Sequence, residues 1–231
     1  MRLLKDVFLV GGLDYHLTFT DWPSNDANAY LIDTRDTLVL VDCGCGETLP
    51  EILANIQEHG LDARDLSHLL LTHEHLPHCG AAQALEKMKV TAVAHEAAAE
   101  AVRAADRRTG TLHYHKPLAP VEVAMPVKDG DTFEVGAASF RVLHLPGHSP
   151  GSCAYELLIA DKRIFFAGDL AFCSGRLGRR DHFGYDAGKH EESIIRLREE
   201  EPEILMPGHG PMSLGNAATW LEEALLGLLS R

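Results

Sequence analysis

Residues Leu69–His78 read LLLTHEHLPH and place three imidazoles at the point where an apolar run ends. The three leucines are typical of a buried strand, and the proline is typical of the first turn of a helix. Alternate side chains of an extended segment point to the same side, so His73 and His75 are neighbours, and His78 can turn back toward them. Neutral imidazole is a common ligand of zinc and iron. The segment therefore predicts a metal site at a strand-to-helix turn.

Three further candidate ligands lie at the ends of predicted strands. His148, Asp169 and His209 each come directly after a glycine. Glycine lets the backbone turn sharply at a strand end and keeps the space around the next side chain open. Together with the histidines of Leu69–His78, these residues predict one cluster of metal ligands at one edge of a layered fold.

The order of the predicted elements indicates two similar halves. Strands come first and helices later in each half, and neither a linker nor a residue-level repeat separates the halves. We therefore predict a single α/β domain over residues 1–231, in which the halves form the two sheets of one sandwich. The predicted strands cover 28–33, 37–42, 69–71, 91–94, 131–135, 139–144, 152–159 and 163–167, and the predicted helices cover 48–59, 77–87, 96–107, 189–200 and 216–229.

The chain has 34 acidic and 21 basic residues and a formal net charge of -13. This balance disfavours nonspecific attraction to nucleic acid or to an anionic membrane, so we expect a small-molecule partner. No apolar stretch approaches the roughly 18 residues of a membrane span, and Met1–Asp6 lacks the apolar middle of a secretion signal, so we expect a cytoplasmic protein. The 5 cysteines lack paired spacings, which predicts reduced, buried thiols rather than disulfides.

The ordered motifs resemble those of the metallo-β-lactamase superfamily over residues 28–210. The resemblance implies a four-layer αββα sandwich with its metal site at one edge, between the two sheets. Asp42 lies in a turn similar to the family turn whose aspartate supports the metal ligands from behind. Asp169 and the residues after it look closer to glyoxalase II-like thioester hydrolases, the hydroxyacylglutathione hydrolases, than to true β-lactamases. The motifs are Thr72-His73-x-His75-x-x-His78, Gly147-His148, Gly168-Asp169 and Gly208-His209-Gly210.

The resemblance also implies a role for each candidate ligand. A first metal ion would bind His73, His75 and His148. Asp169 would bridge two ions, and the second ion would bind His78 and His209 as well, which completes the set of six predicted ligands.

Pro77 stands where the family motif has an aspartate that binds the second metal. Proline offers no side-chain donor atom, although its fixed φ suits the first turn of a helix. Without that carboxylate the site is more positive, so we predict one tightly bound metal and a weaker second one. The expected metal is zinc, with iron as the alternative. Glu74 and Cys79 are the nearby side chains that can replace the missing ligand.

A basic, glycine-rich stretch follows the predicted bridging ligand and contains Arg176, Arg179, Arg180 and Tyr185. Guanidinium groups there can bind an anionic substrate through paired hydrogen bonds. They can equally neutralise local acids such as Asp181. Both interpretations stay open at the level of the sequence.

Further histidines lie outside these motifs. His68 and His144 precede the predicted ligands by several residues and are interpreted as packed or exposed bystanders. The segment His113–His115 lies in a proline-containing loop. A solvated loop is the preferred interpretation, and a loop that overhangs the site is the alternative.

The leading functional hypothesis is a metal-dependent hydrolase in which a metal-bound hydroxide attacks the carbonyl of a thioester, ester or lactone. The first alternative resembles the persulfide dioxygenases of the superfamily, which are mononuclear iron enzymes. His73, His148 and Asp169 would then supply two histidines and one carboxylate. The second alternative is a catalytically impaired protein that uses the cleft to bind a ligand, and Pro77 is its support in the sequence.

Overall fold

A computed structural model describes residues 1–12, 26–159 and 161–229. Within these ranges, two β-sheets lie face to face. The first sheet contains β1 Arg2–Leu4, β2 Val7–Gly11, β3 Ala29–Asp33, β4 Leu38–Val41, β5 Leu66–Leu71, β6 Thr91–His95 and β7 Met125–Val127, side by side in chain order. The second contains β8 Thr132–Val135, β9 Ala138–His144, β10 Cys153–Ile159, β11 Lys162–Gly168 and β12 Ile204–Pro207, in the order β12-β11-β10-β9-β8.

Parallel pairing brings the ligand-bearing strand ends together. Strands β4 to β7 are parallel to one another in the first sheet, and β11 is parallel to β12 in the second. The carboxyl ends of parallel strands lie at the same edge of a sheet. The residues that follow β4 and β5 therefore meet at one edge of the first sheet, and the residues that follow β11 and β12 meet at one edge of the second.

Helices cover the outer faces of both sheets. Leu69 and Leu71 of β5 belong to an outer apolar cluster with Ile52, while Leu70 between them belongs to the cluster that separates the two sheets. Burial on both faces explains why the strand is a continuous apolar run rather than an alternating one. The helices are α1 Leu49–Glu58, α2 Leu76–Cys79, α3 Ala82–Lys87, α4 Glu96–Ala104, α5 Thr111–Tyr114, α6 Ala187–Glu199 and α7 Ala217–Leu229.

These layers confirm the predicted four-layer αββα sandwich. A third apolar cluster packs α6 and α7 against the second sheet through Ile194, Leu221 and Phe165. Among the described residues, no helix is long and apolar enough to cross a membrane.

One predicted helix is wrong in its extent. The sequence pattern predicts a single helix over 77–87, but the structure divides it into α2 and α3 at Gly80 and Ala81. A Cβ atom at Gly80 would overlap the backbone of Cys45, so the chain turns where that loop approaches it closely. The short helix α2 holds Pro77 and His78 in the turn that follows β5.

The predicted helix over 96–107 is also shorter than expected. Helix α4 ends at Ala104, and the following Ala105 takes a left-handed conformation with a φ of 46°. A left-handed residue after the last turn ends a helix, because it directs the backbone away from the helix axis. The chain then enters a short 3-10 turn at Arg107–Thr109 before α5.

We expect buried residues of the inter-sheet cluster to contribute strongly to stability. Phe166 is fully buried there and meets Tyr30 edge-on, with ring centroids 5.5 Å apart. Phe166→Ala should lower the free energy of unfolding by about 3–5 kcal/mol, because it removes buried apolar surface and leaves a cavity. The matched control is Leu158→Ala on the adjacent strand, where the side chain is 62% exposed and the loss should stay under about 0.5 kcal/mol. Urea unfolding of metal-free protein measures both, and equal losses would contradict this account.

Candidate metal centre

The carboxylate of Asp42 holds the ligand turn in place from behind. Asp42 follows β4 with a left-handed φ of 56°, and its Oδ1 accepts a hydrogen bond from the Thr72 backbone N–H at 2.8 Å. Its Oδ2 accepts from the Thr72 hydroxyl at 2.8 Å and lies 2.8 Å from Nδ1 of His78. A proton on Nδ1 of His78 then faces Asp42 and leaves Nε2 to face the site. This arrangement orients an imidazole for metal binding.

Three imidazoles form the first group of candidate ligands. Nε2 of His73 lies 3.1 Å from Nδ1 of His75, which lies 3.0 Å from Nε2 of His148. All three side chains are buried. Burial lowers the pKa of His75 to about 3 and holds the pKa values of His73 and His148 well below the usual range, so the rings are neutral. Three neutral nitrogens at this spacing match the donor set of a divalent ion.

Asp169 lies between the first group and a second group of candidate ligands, which consists of His78, His209 and Asp169 itself. Its Oδ1 is 3.2 Å from Nε2 of His78, and its Oδ2 is 3.5 Å from Nε2 of His148 and 3.7 Å from Nε2 of His209. Nε2 of His78 and Oδ1 of Asp169 are buried. Among the described residues, neither atom has a hydrogen-bond partner in suitable geometry. Buried polar atoms without such partners are costly, and a cation between them would satisfy both. The second group therefore also fits a metal ion.

Charge concentrates on the second group. Burial by itself would lower the pKa of His78, but the carboxylates of Asp169 and Asp42 raise it to about 10. Burial would likewise raise the pKa of Asp169, but the imidazoles of His209 and His78 hold it well below its usual range. The field that attracts a proton here also attracts a metal cation, so proton and metal compete for His78.

Pro77 supplies no metal ligand of its own. It is buried in the first turn of α2, and its carbonyl oxygen accepts a hydrogen bond from the backbone N–H of Ala27 at 3.3 Å. The two nearby side chains considered as replacements are engaged elsewhere. Glu74 accepts from the Ser149 hydroxyl at 2.9 Å, and the Cys79 thiol donates to the carbonyl of Glu74 at 3.1 Å.

Glycines directly before ligands make room for the cluster. A Cβ atom at Gly208 would overlap Oδ1 of Asp169 and Cε1 of His78, so only glycine fits at this position. Gly168 has a left-handed φ of 51°, and a Cβ atom at this residue would overlap the Thr72 hydroxyl. These two glycines allow the ends of β11 and β12 to approach the turn after β5.

A cavity of about 210 Å³ opens onto both groups. Of the four residues predicted to bind substrate, Arg179 lines it. Arg179 also pairs with Asp181 through two hydrogen bonds of 2.9 and 2.8 Å, so both interpretations of this arginine have a structural basis. Outside the candidate ligands, the lining includes His113, Tyr114, Phe172, Arg179 and His182.

The other three predicted substrate residues lie in the same stretch of chain. The carbonyl of Arg176 accepts from the backbone N–H of Phe172 at 2.8 Å, and Tyr185 lies near Arg180. None of these three is among the residues that line the described cavity. Their role in substrate binding stays a prediction.

The sequence interpretation missed two contributors to the cavity wall. The segment His113–His115 was interpreted as solvated, but His113 and Tyr114 lie at the cavity, as in the overhanging alternative. His182 was passed over among the neighbouring arginines, although it is the only histidine in that basic stretch. The bystander His144 stacks on His95 with ring centroids 3.7 Å apart, and the ring nitrogen Nδ1 of His68 lies 2.8 Å from the Ser67 hydroxyl.

The sequence matches one superfamily profile and resembles known hydrolases. A profile of the Metallo-beta-lactamase superfamily matches residues 23–209. The probable metallo-hydrolase YqgX of Bacillus subtilis is 32% identical over 80% of this chain and 85% of its own length. The hydroxyacylglutathione hydrolase GloC of Haemophilus influenzae is 28% identical over 77% of this chain and 82% of its own length.

A solved structure shares the fold across the whole chain. A mutant metallo-β-lactamase from Cronobacter sakazakii superposes with a TM-score of 0.80 at 21% identity, covering 100% of this chain and 95% of that one. This chain spans less than half of some other relatives: the match covers 41% of an uncharacterized protein from Aquifex aeolicus and 47% of the lactamase-like protein nscB from Aspergillus fumigatus.

Glu74 provides a test of how the first group is held together. Its buried carboxylate accepts from the Ser149 hydroxyl at 2.9 Å and from the Gly151 N–H at 3.3 Å, and so ties the turn of His73 and His75 to the turn of His148. Glu74→Ala should weaken zinc binding about 10- to 100-fold, the usual cost of losing a group that orients ligands. Glu74→Gln keeps an acceptor and should stay within about threefold of wild type. Competition with a chromogenic chelator measures the zinc affinity of both variants. An unchanged affinity in Glu74→Ala would contradict the proposed link between the two turns.

Proposed function

The chain belongs to the metallo-β-lactamase superfamily, and we propose that it is a metal-dependent hydrolase that cleaves a thioester bond, or the related bond of an ester or lactone. The observation that carries the proposal is the close grouping of His73, His75 and His148 beside a cavity that His75, His148 and Asp169 line. The hydrolases YqgX and GloC support it by their similarity and their names.

The donor set fits a divalent metal ion. Three imidazole nitrogens within 3.1 Å of their neighbours leave room for a further ligand on the cavity side, as catalytic zinc sites require. When bound, zinc or iron would act as a Lewis acid that activates water and polarises a carbonyl group. The side chains around the cavity would orient the substrate and provide charge near the reacting atoms.

An ion held by the second group would lie on the side of the substrate that carries the leaving group. The carboxylate of Asp169 reaches toward both groups, so it fixes the distance between them. Asp42 holds His78 from behind, which keeps the second group oriented even without a carboxylate at position 77. Phe172 and Tyr114 line the cavity beside the candidate ligands, where their rings would limit access of bulk water to a bound substrate.

Charge at the cavity favours an anionic substrate. Arg179 brings a guanidinium group, paired with Asp181, to the cavity wall of a chain whose formal net charge is -13. A local cation in an acidic surface focuses anionic molecules toward one point. We therefore propose a small anionic thioester as the substrate and no nucleic acid or membrane partner.

An iron oxygenase is the second candidate. The ligand atoms of His73, His78 and Asp169 lie within 4.8 Å of one another, so His78 takes the place of His148 in the triad expected from the sequence. This is the donor set of non-haem iron sites that leave positions open for oxygen and substrate. Oxygen uptake by the iron-loaded protein with glutathione persulfide would favour this function over hydrolysis.

A series of acetyl thioesters tests the hydrolase proposal. The acetyl esters of glutathione, thiophenol and thiocholine offer an anionic, a neutral and a cationic thiol. Zinc-loaded protein should release thiol at least about 100-fold faster than chelator-stripped protein, and it should prefer the glutathione ester. Arg179→Gln should raise KM for that ester about 10-fold, because it removes a charged hydrogen bond of about 1.4 kcal/mol, and should leave KM for the thiophenol ester unchanged.

The outcome against this function is specific. If neither zinc-loaded nor iron-loaded protein cleaves any of the three thioesters, or a matching oxygen ester and lactone, the hydrolase proposal fails. The ligand-binding alternative would then gain support from metal binding without turnover.

Metal stoichiometry tests the consequence of Pro77. We expect wild type to retain about one zinc per chain after dialysis, because the second group lacks one carboxylate. Pro77→Asp should retain about two, and Pro77→Ala, which adds no ligand, should match wild type. Elemental analysis of the three proteins measures this directly. Two full equivalents in dialysed wild type would refute the single tight site.

A further inference from the structure

The turn that carries His209 follows β12, an edge strand of the second sheet. The ring of His209 meets the rings of His78 and Phe172 edge-on, with centroids 5.4 and 5.6 Å apart. Among the described residues, no hydrogen bond holds the His209 side chain, whereas Asp42 holds that of His78. The position of His209 therefore depends on the backbone of its own turn.

Asn28 contacts this turn at three carbonyl groups. Its backbone N–H donates to the carbonyl oxygen of Gly208 at 2.6 Å. Its Nδ2 lies 3.0 Å from the carbonyl oxygen of Pro207 and 2.9 Å from that of Gly210. A side-chain amide nitrogen carries two hydrogens, so it can serve both carbonyls. One fully buried residue, just before β3 of the first sheet, thus clamps the turn of His209 on both sides.

The same short segment also contacts the turn that carries His78. The backbone N–H of Ala27, next to Asn28, donates to the carbonyl oxygen of Pro77 at 3.3 Å. These two consecutive residues therefore link the turns of His78 and His209, the two imidazoles of the second group. Because Pro77 adds no donor atom, the second group has little to lose, and a displaced His209 would leave an ion only two protein ligands.

We propose that Asn28 is a positioning residue that fixes His209 relative to Asp169 and His78, and so sets the affinity of the second group for a metal ion. The inference rests on the metal dependence of the proposed function and not on which bond is cleaved. Groups that orient metal ligands without touching the metal typically change its affinity about 10- to 100-fold.

Three substitutions separate this role from general stability. Asn28→Leu keeps the backbone N–H and a side chain of similar size, but it removes both hydrogens that face Pro207 and Gly210. Asn28→Ser is milder, because a hydroxyl donates one hydrogen bond and can serve one carbonyl at a time. Tyr30→Phe is the matched control. It removes the buried hydrogen bond of 2.7 Å from the Tyr30 hydroxyl to the Pro207 carbonyl and leaves the amide of Asn28 in place.

Equilibrium dialysis against buffered zinc gives separate dissociation constants for the first and second ions. Asn28→Leu should raise the second constant about 10- to 100-fold and leave the first within about threefold of wild type. Asn28→Ser should raise the second constant less, and Tyr30→Phe should leave both constants within about threefold of wild type. The ratio of the two constants is the decisive readout, because a general loss of stability lowers the melting temperature without separating the two groups.

Several outcomes would overturn the proposal. They are an unchanged ratio in Asn28→Leu, an equal rise of both constants, a change of the ratio in Tyr30→Phe as large as in Asn28→Leu, and no binding of a second zinc ion by wild type. If Asn28→Leu does not fold, the comparison of Asn28→Ser with Tyr30→Phe decides in the same way. If the ratios behave as expected but no thioester is cleaved, the role of Asn28 stands and the hydrolase function fails.

Discussion

The metal centre depends on the close approach of imidazole nitrogens that come from distant parts of the chain. Nδ1 of His75 lies 3.1 Å from Nε2 of His73 and 3.0 Å from Nε2 of His148, which is 73 positions further along. Lone pairs at this spacing repel one another unless a cation or proton lies between them, and burial disfavours the proton. The fold must hold them there, and it does so by pairing parallel strands whose carboxyl ends share one edge.

The layered architecture could be predicted, and the candidate ligands could be named, because both have local signals in the sequence. The continuous run Leu69–Leu71 indicates a strand buried on both faces, and His73, His75 and His78 follow it at fixed spacing. Glycines before the later ligands indicate tight strand ends. In the structure, His75, His148, Asp169 and His209 line one cavity, and His73 and His78 lie beside them.

Other features of the structure could not be predicted from neighbouring residues in the sequence. The break between α2 and α3 depends on the backbone of Cys45, which is far from Gly80 in sequence. The cavity wall at His182 depends on contacts with His75 and His148, which no spacing rule relates to position 182. The orientation of Glu74 likewise depends on a tertiary contact, its hydrogen bond with Ser149. Each of these depends on which segments the fold places side by side.

The two halves of the metal centre are unequal in their donor atoms. The first group has three neutral imidazoles, while the second has two imidazoles that share one carboxylate, and Pro77 adds nothing to it. Asp42 keeps His78 oriented toward Asp169 in spite of this loss. Both groups of candidate ligands are therefore present, and we expect a lower affinity for an ion at the second group.

Anomalous diffraction from crystals of the zinc-loaded protein tests this asymmetry most directly. The account predicts a peak near full occupancy bound by His73, His75 and His148. It predicts a distinctly weaker peak between Asp169, His78 and His209. Two peaks of equal, full occupancy after dialysis, or a missing peak at the three imidazoles, would contradict it.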